Sequence, residues 1–217
     1  MHSLIAELPF VLLIAGIVLV GLYLSNLFLD YGSPQYVSRK VAHAFGGIAF
    51  LLCALLFSSY IWPIVLAAGF TLLLGGARLI KPDAFRGAGG SARAHAFAEV
   101  FFPAAGALAL LNWVWSGNPF LGVLPGMYLG FGDMVTGLTR HWHCKREKKG
   151  WCGTIAMLAV CLLMSYLLRP YWIGACMSVS AVLAERFTPL THGWIDDNWT
   201  LTLGSALVGG LLYAYFG

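Results

Sequence analysis

The chain has 217 residues, 59% of them hydrophobic and only 10% charged, with a mean hydropathy of +0.79 and a formal net charge of +4. Soluble domains carry about 25% charged residues, so a soluble fold is excluded and the bilayer is the expected solvent. Aromatic and basic residues do not interleave on a polar scaffold, which excludes a nucleic-acid surface, and the length suits one transmembrane domain over 1–217.

A helix needs about 20 residues to cross the hydrocarbon core. Eight apolar runs are predicted to do so, at about 8–29, 41–58, 61–80, 96–115, 119–138, 153–168, 171–187 and 200–216. The second, sixth and last are short, which allows tilt or re-entrance. Tight connections fall at Ser58-Ser59-Tyr60 and at Ser116-Gly117-Asn118-Pro119, where Gly and Pro provide the turn. The first run lacks a basic lead and a small-residue cleavage site, so it is expected to be kept as a helix. Of the cysteines, Cys53, Cys161 and Cys176 fall in apolar runs, and Cys144 and Cys152 flank a basic loop. No disulfide framework is expected.

Charge then orients the helices. Arg39 and Lys40 fall in the first loop, Arg78, Lys81, Arg86 and Arg93 in or beside the third. Arg140, Lys145, Arg146, Lys148 and Lys149 fall in the fifth, and Arg186 in the seventh, leaving only Arg169 for the opposite face. The positive-inside rule makes the basic face cytoplasmic and both termini non-cytoplasmic. The same face gathers His43, His95, Glu99, Asp133, His141, His143, Glu185, His192, Asp196 and Asp197. Tryptophans near both helix ends form the expected interfacial belts. The expected architecture is an all-α, polytopic bundle of about eight transmembrane helices with one cytoplasmic polar site.

Ionisable groups within a membrane domain mark a functional site. Asp133 lies about five residues, or roughly 7–8 Å, inside the end of its helix. Gly137 and Arg140 follow on the same helical face, and Gly130 and Gly132 are expected to admit a ligand close to the backbone. The Asp is expected to hold Mg²⁺ or to act on a substrate hydroxyl; the structural alternative is an Asp133–Arg140 pair joining two helices. Lys145, Arg146, Lys148 and Lys149 suit anionic headgroups. Followed by Gly150-Trp151-Cys152-Gly153-Thr154, they also suit phosphate at a helix entry. Asp196, Asp197 and Asn198 precede the last helix and offer either a cap or oxygen ligands for Mg²⁺ shared with phosphates. Glu185 and Arg186 support them or form an interfacial pair. Arg39 and His43 share a face, with Lys40 about 100° round it, and the three fit a phosphate clamp. Glu99 is a secondary candidate. His141, His143, Cys144 and Cys152 match no usual zinc spacing, and the absence of GxxxxGK[ST] excludes a P-loop.

Taken together, Arg39-Lys40-x-x-His43, Gly132-Asp133 with the basic loop and Lys149-Gly150-Trp151…Gly153-Thr154, and Glu185…Ile195-Asp196-Asp197-Asn198 resemble the CTP-dependent polyprenol/dolichol kinase family. That family also includes phytol kinase and the CTP-dependent diacylglycerol kinase. The resemblance covers about residues 38–204. It departs after the basic loop, where many members carry Lys-Ser/Glu-Gly-Ser in place of Lys149-Gly150-Trp151-Cys152-Gly153-Thr154. The C-terminal signature of the phosphatidate cytidylyltransferases is not found.

The resemblance implies transfer of the γ-phosphate of CTP, with Mg²⁺, to the hydroxyl of a long-chain isoprenoid alcohol or diacylglycerol at the cytoplasmic face. On that reading Asp133, Asp196 and Asp197 carry catalysis and metal. Arg39, Lys40, His43, Gly132, Gly137, Arg140, Lys145, Arg146, Lys148, Lys149, Glu185 and Asn198 contact substrate. Asp133 is the first choice to orient or deprotonate the hydroxyl. Two other readings stay open: a small transporter or flippase with an intramembrane Asp, and a CTP-using cytidylyltransferase.

Overall fold

A computed structural model describes residues 4–89, 97–143, 150–188 and 197–217. The described residues are mostly helical, with no strand among them. A 3₁₀ turn, Leu4–Glu7, leads into α1 (Leu8–Asp30), followed by α2 (Gln35–Leu56) and α3 (Ile61–Ile80). Next come α4 (Ala98–Ala109) and, across a one-residue break at Leu110, α5 (Leu111–Ser116). α6 (Pro119–Met127) runs through a π-helical turn, Tyr128–Gly132, into α7 (Asp133–Trp142). α8 (Trp151–Ser165), α9 (Tyr171–Phe187) and α10 (Asp197–Phe216) complete the bundle.

Among the described residues, five helices are long and apolar enough to cross a membrane: Leu4–Asp30, Gln35–Leu56, Ile61–Ile80, Ala98–Ser116 and Asp197–Phe216. α8 is apolar but shorter. The radial distribution of polarity is inverted relative to a soluble protein. Leu12, Leu72 and Leu163 are 73%, 77% and 70% exposed, whereas Asp133 and Glu185 are 2% and 1% exposed. Apolar side chains turned outward around a buried acidic centre are the pattern expected of a chain solvated by lipid.

Local chemistry explains the rods. Pro34 and Pro170 stand in extended backbone just ahead of α2 and α9, where a residue without a backbone donor costs least. Asn118 caps α6 by accepting from the Phe120 amide at 3.0 Å. Gly117, at φ +69°, closes α5 in the left-handed region that glycine tolerates.

α6 is the axis of the bundle. Every residue from Leu121 to Gly130 is buried, and α2, α4, α5 and α10 pack around it. Glycine sets the closest crossing: a Cβ on Gly130 would lie 2.5 Å from the Gly47 Cα and 2.9 Å from the His43 carbonyl oxygen. Further out, Asn26 clasps the segment after α3, donating to the Ala84 carbonyl and accepting from the Gly87 amide. Gln35 donates to the Arg86 and Gly89 carbonyls.

Cys152 is disulfide-bonded, while Cys53, Cys161 and Cys176 are free, against the expectation of no disulfide framework only at that one position.

Candidate functional site

The crossing of α2 with the α6–α7 rod delivers the start of α7 to the second and third turns of α2. Asp133 is buried there, with Oδ2 2.5 Å from Lys40 Nζ. His43 Nδ1 lies 2.9 Å from the same oxygen but out of line for a hydrogen bond. Lys40 and His43 are three residues apart and so neighbours on one helical face. Gly137 leaves room for the Lys40 side chain: a Cβ there would sit 2.5 Å from Lys40 Cε.

Two further ion pairs surround this one. Arg140, two turns along α7, reaches Glu185 of α9 at 3.3 Å and also donates to the Thr136 carbonyl. Arg39 approaches Asp197, in the first turn of α10, at 3.8 Å. One ligand oxygen from each of Asp133, Glu185 and Asp197 lies within 4.8 Å of the others. Three carboxylates thus converge from three helices, each matched by its own cation.

Three carboxylates form an all-oxygen donor set suited to a hard divalent cation. In an octahedral Mg²⁺ shell at about 2.1 Å, neighbouring oxygens stand about 3.0 Å apart and opposite ones about 4.2 Å, so side-chain movements of up to about 1–2 Å would bring the set onto one ion. The three pairs are balanced without metal. A bound divalent cation would give the cluster a net positive charge, matched to an anionic ligand.

Several expectations change in detail. Asp133 and Arg140 do not pair; each has another partner. Arg39 and His43 share a face as expected but take different partners in the same cluster, Arg39 meeting Asp197 and His43 meeting Asp133. The glycines before Asp133 serve helix packing: Gly130 faces Gly47, and a Cβ on Gly132 would lie 2.8 Å from Cys161 Sγ. Asn198 is buried and donates to the Ala98 carbonyl at 2.8 Å, fastening α10 to α4. Asp197 and Asn198 lie within the first turn of α10 rather than ahead of it.

Glu185 enters the carboxylate triad itself. The signal for it in the sequence is its position at the charged end of the ninth rod, which is otherwise apolar apart from Arg186. Arg186 stacks over Trp151 at 4.0 Å and donates to Thr154 Oγ1 at 3.3 Å, tying α9 to the start of α8. Gly150 precedes that helix in extended backbone, with no side-chain cap. His141 hydrogen-bonds through Nδ1 to the Tyr36 hydroxyl. Lys145, Arg146, Lys148, Lys149 and Asp196, with His95 and His192, lie outside the described residues.

No family model matches the chain, and neither a curated protein nor a solved structure matches it.

Proposed function

We propose that the protein is a membrane lipid-alcohol kinase that moves the γ-phosphate of CTP to the hydroxyl of a long-chain isoprenoid alcohol or diacylglycerol. The observation that carries the reading is the convergence of Asp133, Glu185 and Asp197 within 4.8 Å, each beside its own cation, at the charged end of an otherwise apolar bundle. The motif resemblance supplies the nucleotide and the acceptor class. Eight membrane crossings, with both termini on the non-cytoplasmic side, would put this end at the cytoplasmic surface. Nucleotide then arrives from water while the acceptor's tail stays in lipid.

Phosphoryl transfer asks mainly for positioning and charge neutralisation. Asp133, Glu185 and Asp197, joined by Asp196, would hold Mg²⁺, which supplies charge neutralisation across the triphosphate. Arg39 and Arg140, with the basic loop of Lys145, Arg146, Lys148 and Lys149, attract the phosphates. Lys40 occupies Asp133 Oδ2, which leaves the other oxygen for metal and makes Asp133 a better ligand than base. The acceptor oxygen bonds to the γ-phosphorus while the bond from that phosphorus to the β–γ bridging oxygen breaks. CDP leaves and the hydroxyl proton passes to solvent.

The test is purified protein in detergent with Mg²⁺, γ-labelled CTP and a panel of lipid alcohols, with ATP in parallel. Label in an organic-soluble phosphate, with CDP released, supports the kinase. Pyrophosphate release with cytidylyl transfer points to the cytidylyltransferase. No transfer and no Mg²⁺–CTP stabilisation of the folded protein points to the transporter.

A further inference from the structure

Between α1, α2, α3 and α4 runs an apolar cavity, open along part of its length. Val18, Leu22, Ala67, Phe70 and Phe102 are among the side chains that line it. Apart from the Cys53 thiol, its ionisable lining among the described residues consists of His43 and Glu99. His43 belongs to the Asp133 cluster, so the cavity borders the candidate site at that residue and is mostly apolar along the rest.

Of the two, Glu99 carries an unmet requirement. Glu99 is 8% exposed, and its Oε1 is 3.7 Å from Arg78 Nε. Its Oε2 is buried without a hydrogen-bond partner among the described residues. Buried polar atoms are normally satisfied, and an unpartnered carboxylate oxygen on a residue lining an apolar cavity calls for a donor. A hydroxyl donates and accepts at once, which matches a cavity whose lining holds both a carboxylate and an imidazole. A fatty acid's carboxylate would instead meet Glu99 as a like charge.

We propose that this cavity is the tail site of the acceptor, and that Glu99 positions its hydroxyl and selects a neutral alcohol over an acid of equal length. This deepens the kinase reading and rests on it for the identity of the acceptor. Phe102, 5.0 Å from the His43 ring between centroids, walls the junction between tail and head.

The experiment uses the full chain in detergent without nucleotide and a hexadecanol bearing a diazirine in its tail. Photolabelled residues are mapped by mass spectrometry. Label is expected on α1–α4 side chains facing the cavity. Ala67→Phe, which fills the cavity, is expected to reduce it roughly tenfold, equivalent to one order in affinity. Hexadecanol is expected to compete better than hexadecanoic acid, and Glu99→Gln to erase most of that preference while keeping the label. A merely structural Glu99 would leave the preference unchanged, and that result overturns its assignment. Label spread over outward residues such as Leu72 and Leu163, indifferent to Ala67→Phe, overturns the tail site. The kinase reading fails separately: cavity labelling without phosphoryl transfer removes it alone, and transfer with scattered label removes only the tail site.

Discussion

The buried ion pair between Lys40 and Asp133 makes an unusual stability prediction: removing both charges harms the fold less than removing either. Their side chains are 7% and 3% exposed. Stripping one partner from a buried pair costs about 3–5 kcal/mol. For Asp133→Asn the lower end applies, because Glu185 and Asp197 remain within reach of the Lys40 ammonium. For Lys40→Met the upper end applies, because three close carboxylates keep only Arg39 and Arg140 as strong cations among the described residues. In a chain of this length about 1 kcal/mol shifts the melting temperature by roughly 2–4 °C. The expected falls are therefore about 6–12 °C for Asp133→Asn and about 10–20 °C for Lys40→Met. The double variant keeps two carboxylates and two arginines and should melt within about 4 °C of the parent. Thermal unfolding in detergent, followed by tryptophan fluorescence, measures all four proteins of the cycle. Additive losses in the double variant would refute the pairing. The double variant, folded but lacking Asp133, is also the sound negative control for phosphoryl transfer.

Mg²⁺ at a hundred times its dissociation constant should stabilise the parent by about 2.7 kcal/mol, or roughly 5–11 °C. Glu185→Gln should lose most of that shift; an equal shift in the variant would remove Glu185 from the cation set. Gly130→Ala drives a methyl into the Gly47 and His43 backbone and should cost about 1–3 kcal/mol or more. At Gly69 an added methyl would meet nothing within 4 Å, so replacement by Ala should gain up to about 1 kcal/mol; both are read by the same melting assay, and matching effects would contradict the α2–α6 crossing. Tyr128→Phe removes a hydroxyl shared with Ser165 Oγ at 2.9 Å and the Gly174 carbonyl at 3.2 Å. Ser165 keeps Ser178 at 2.6 Å, so the loss should stay near 1 kcal/mol, and a drop several times larger would show that the network depends on the phenol.

Hydrophobic length makes the rods legible. The runs at 8–29, 61–80 and 171–187 correspond to Leu8–Asp30, Ile61–Ile80 and Tyr171–Phe187. Polar helix ends are harder to read: α2 starts at Gln35 and α10 at Asp197, because residues that anchor a helix at an interface look like loop by hydropathy. The residue types at the site are legible too, since charge is rare in this chain and stands out. Their partners are not. Which face of α2 turns inward depends on the meeting of Gly47 with Gly130, a contact across 83 residues of sequence that no local periodicity encodes. The glycines before Asp133 mislead for the same reason, since a gap left for a ligand and a gap left for a helix look alike in one dimension.

The π-helical turn at Tyr128–Gly132 gives this site a dependence on chain length as well as on residue identity. The Asp133 amide bonds to the Tyr128 carbonyl, five residues back, so the turn holds one residue more than an α-helix would. Each residue advances an α-helix by about 100°, and such bulges often occur at functional positions. Deleting a single residue between Tyr128 and Gly132 would let the rod close as continuous α-helix and rotate everything on one side of it by about a quarter turn. Asp133, Gly137 and Arg140 would then swing together away from Lys40 and Glu185 while every one of those side chains remained in the protein. A one-codon deletion would thus dismantle the cluster in one step, and a one-codon insertion into an ordinary membrane helix is a correspondingly short route to building it.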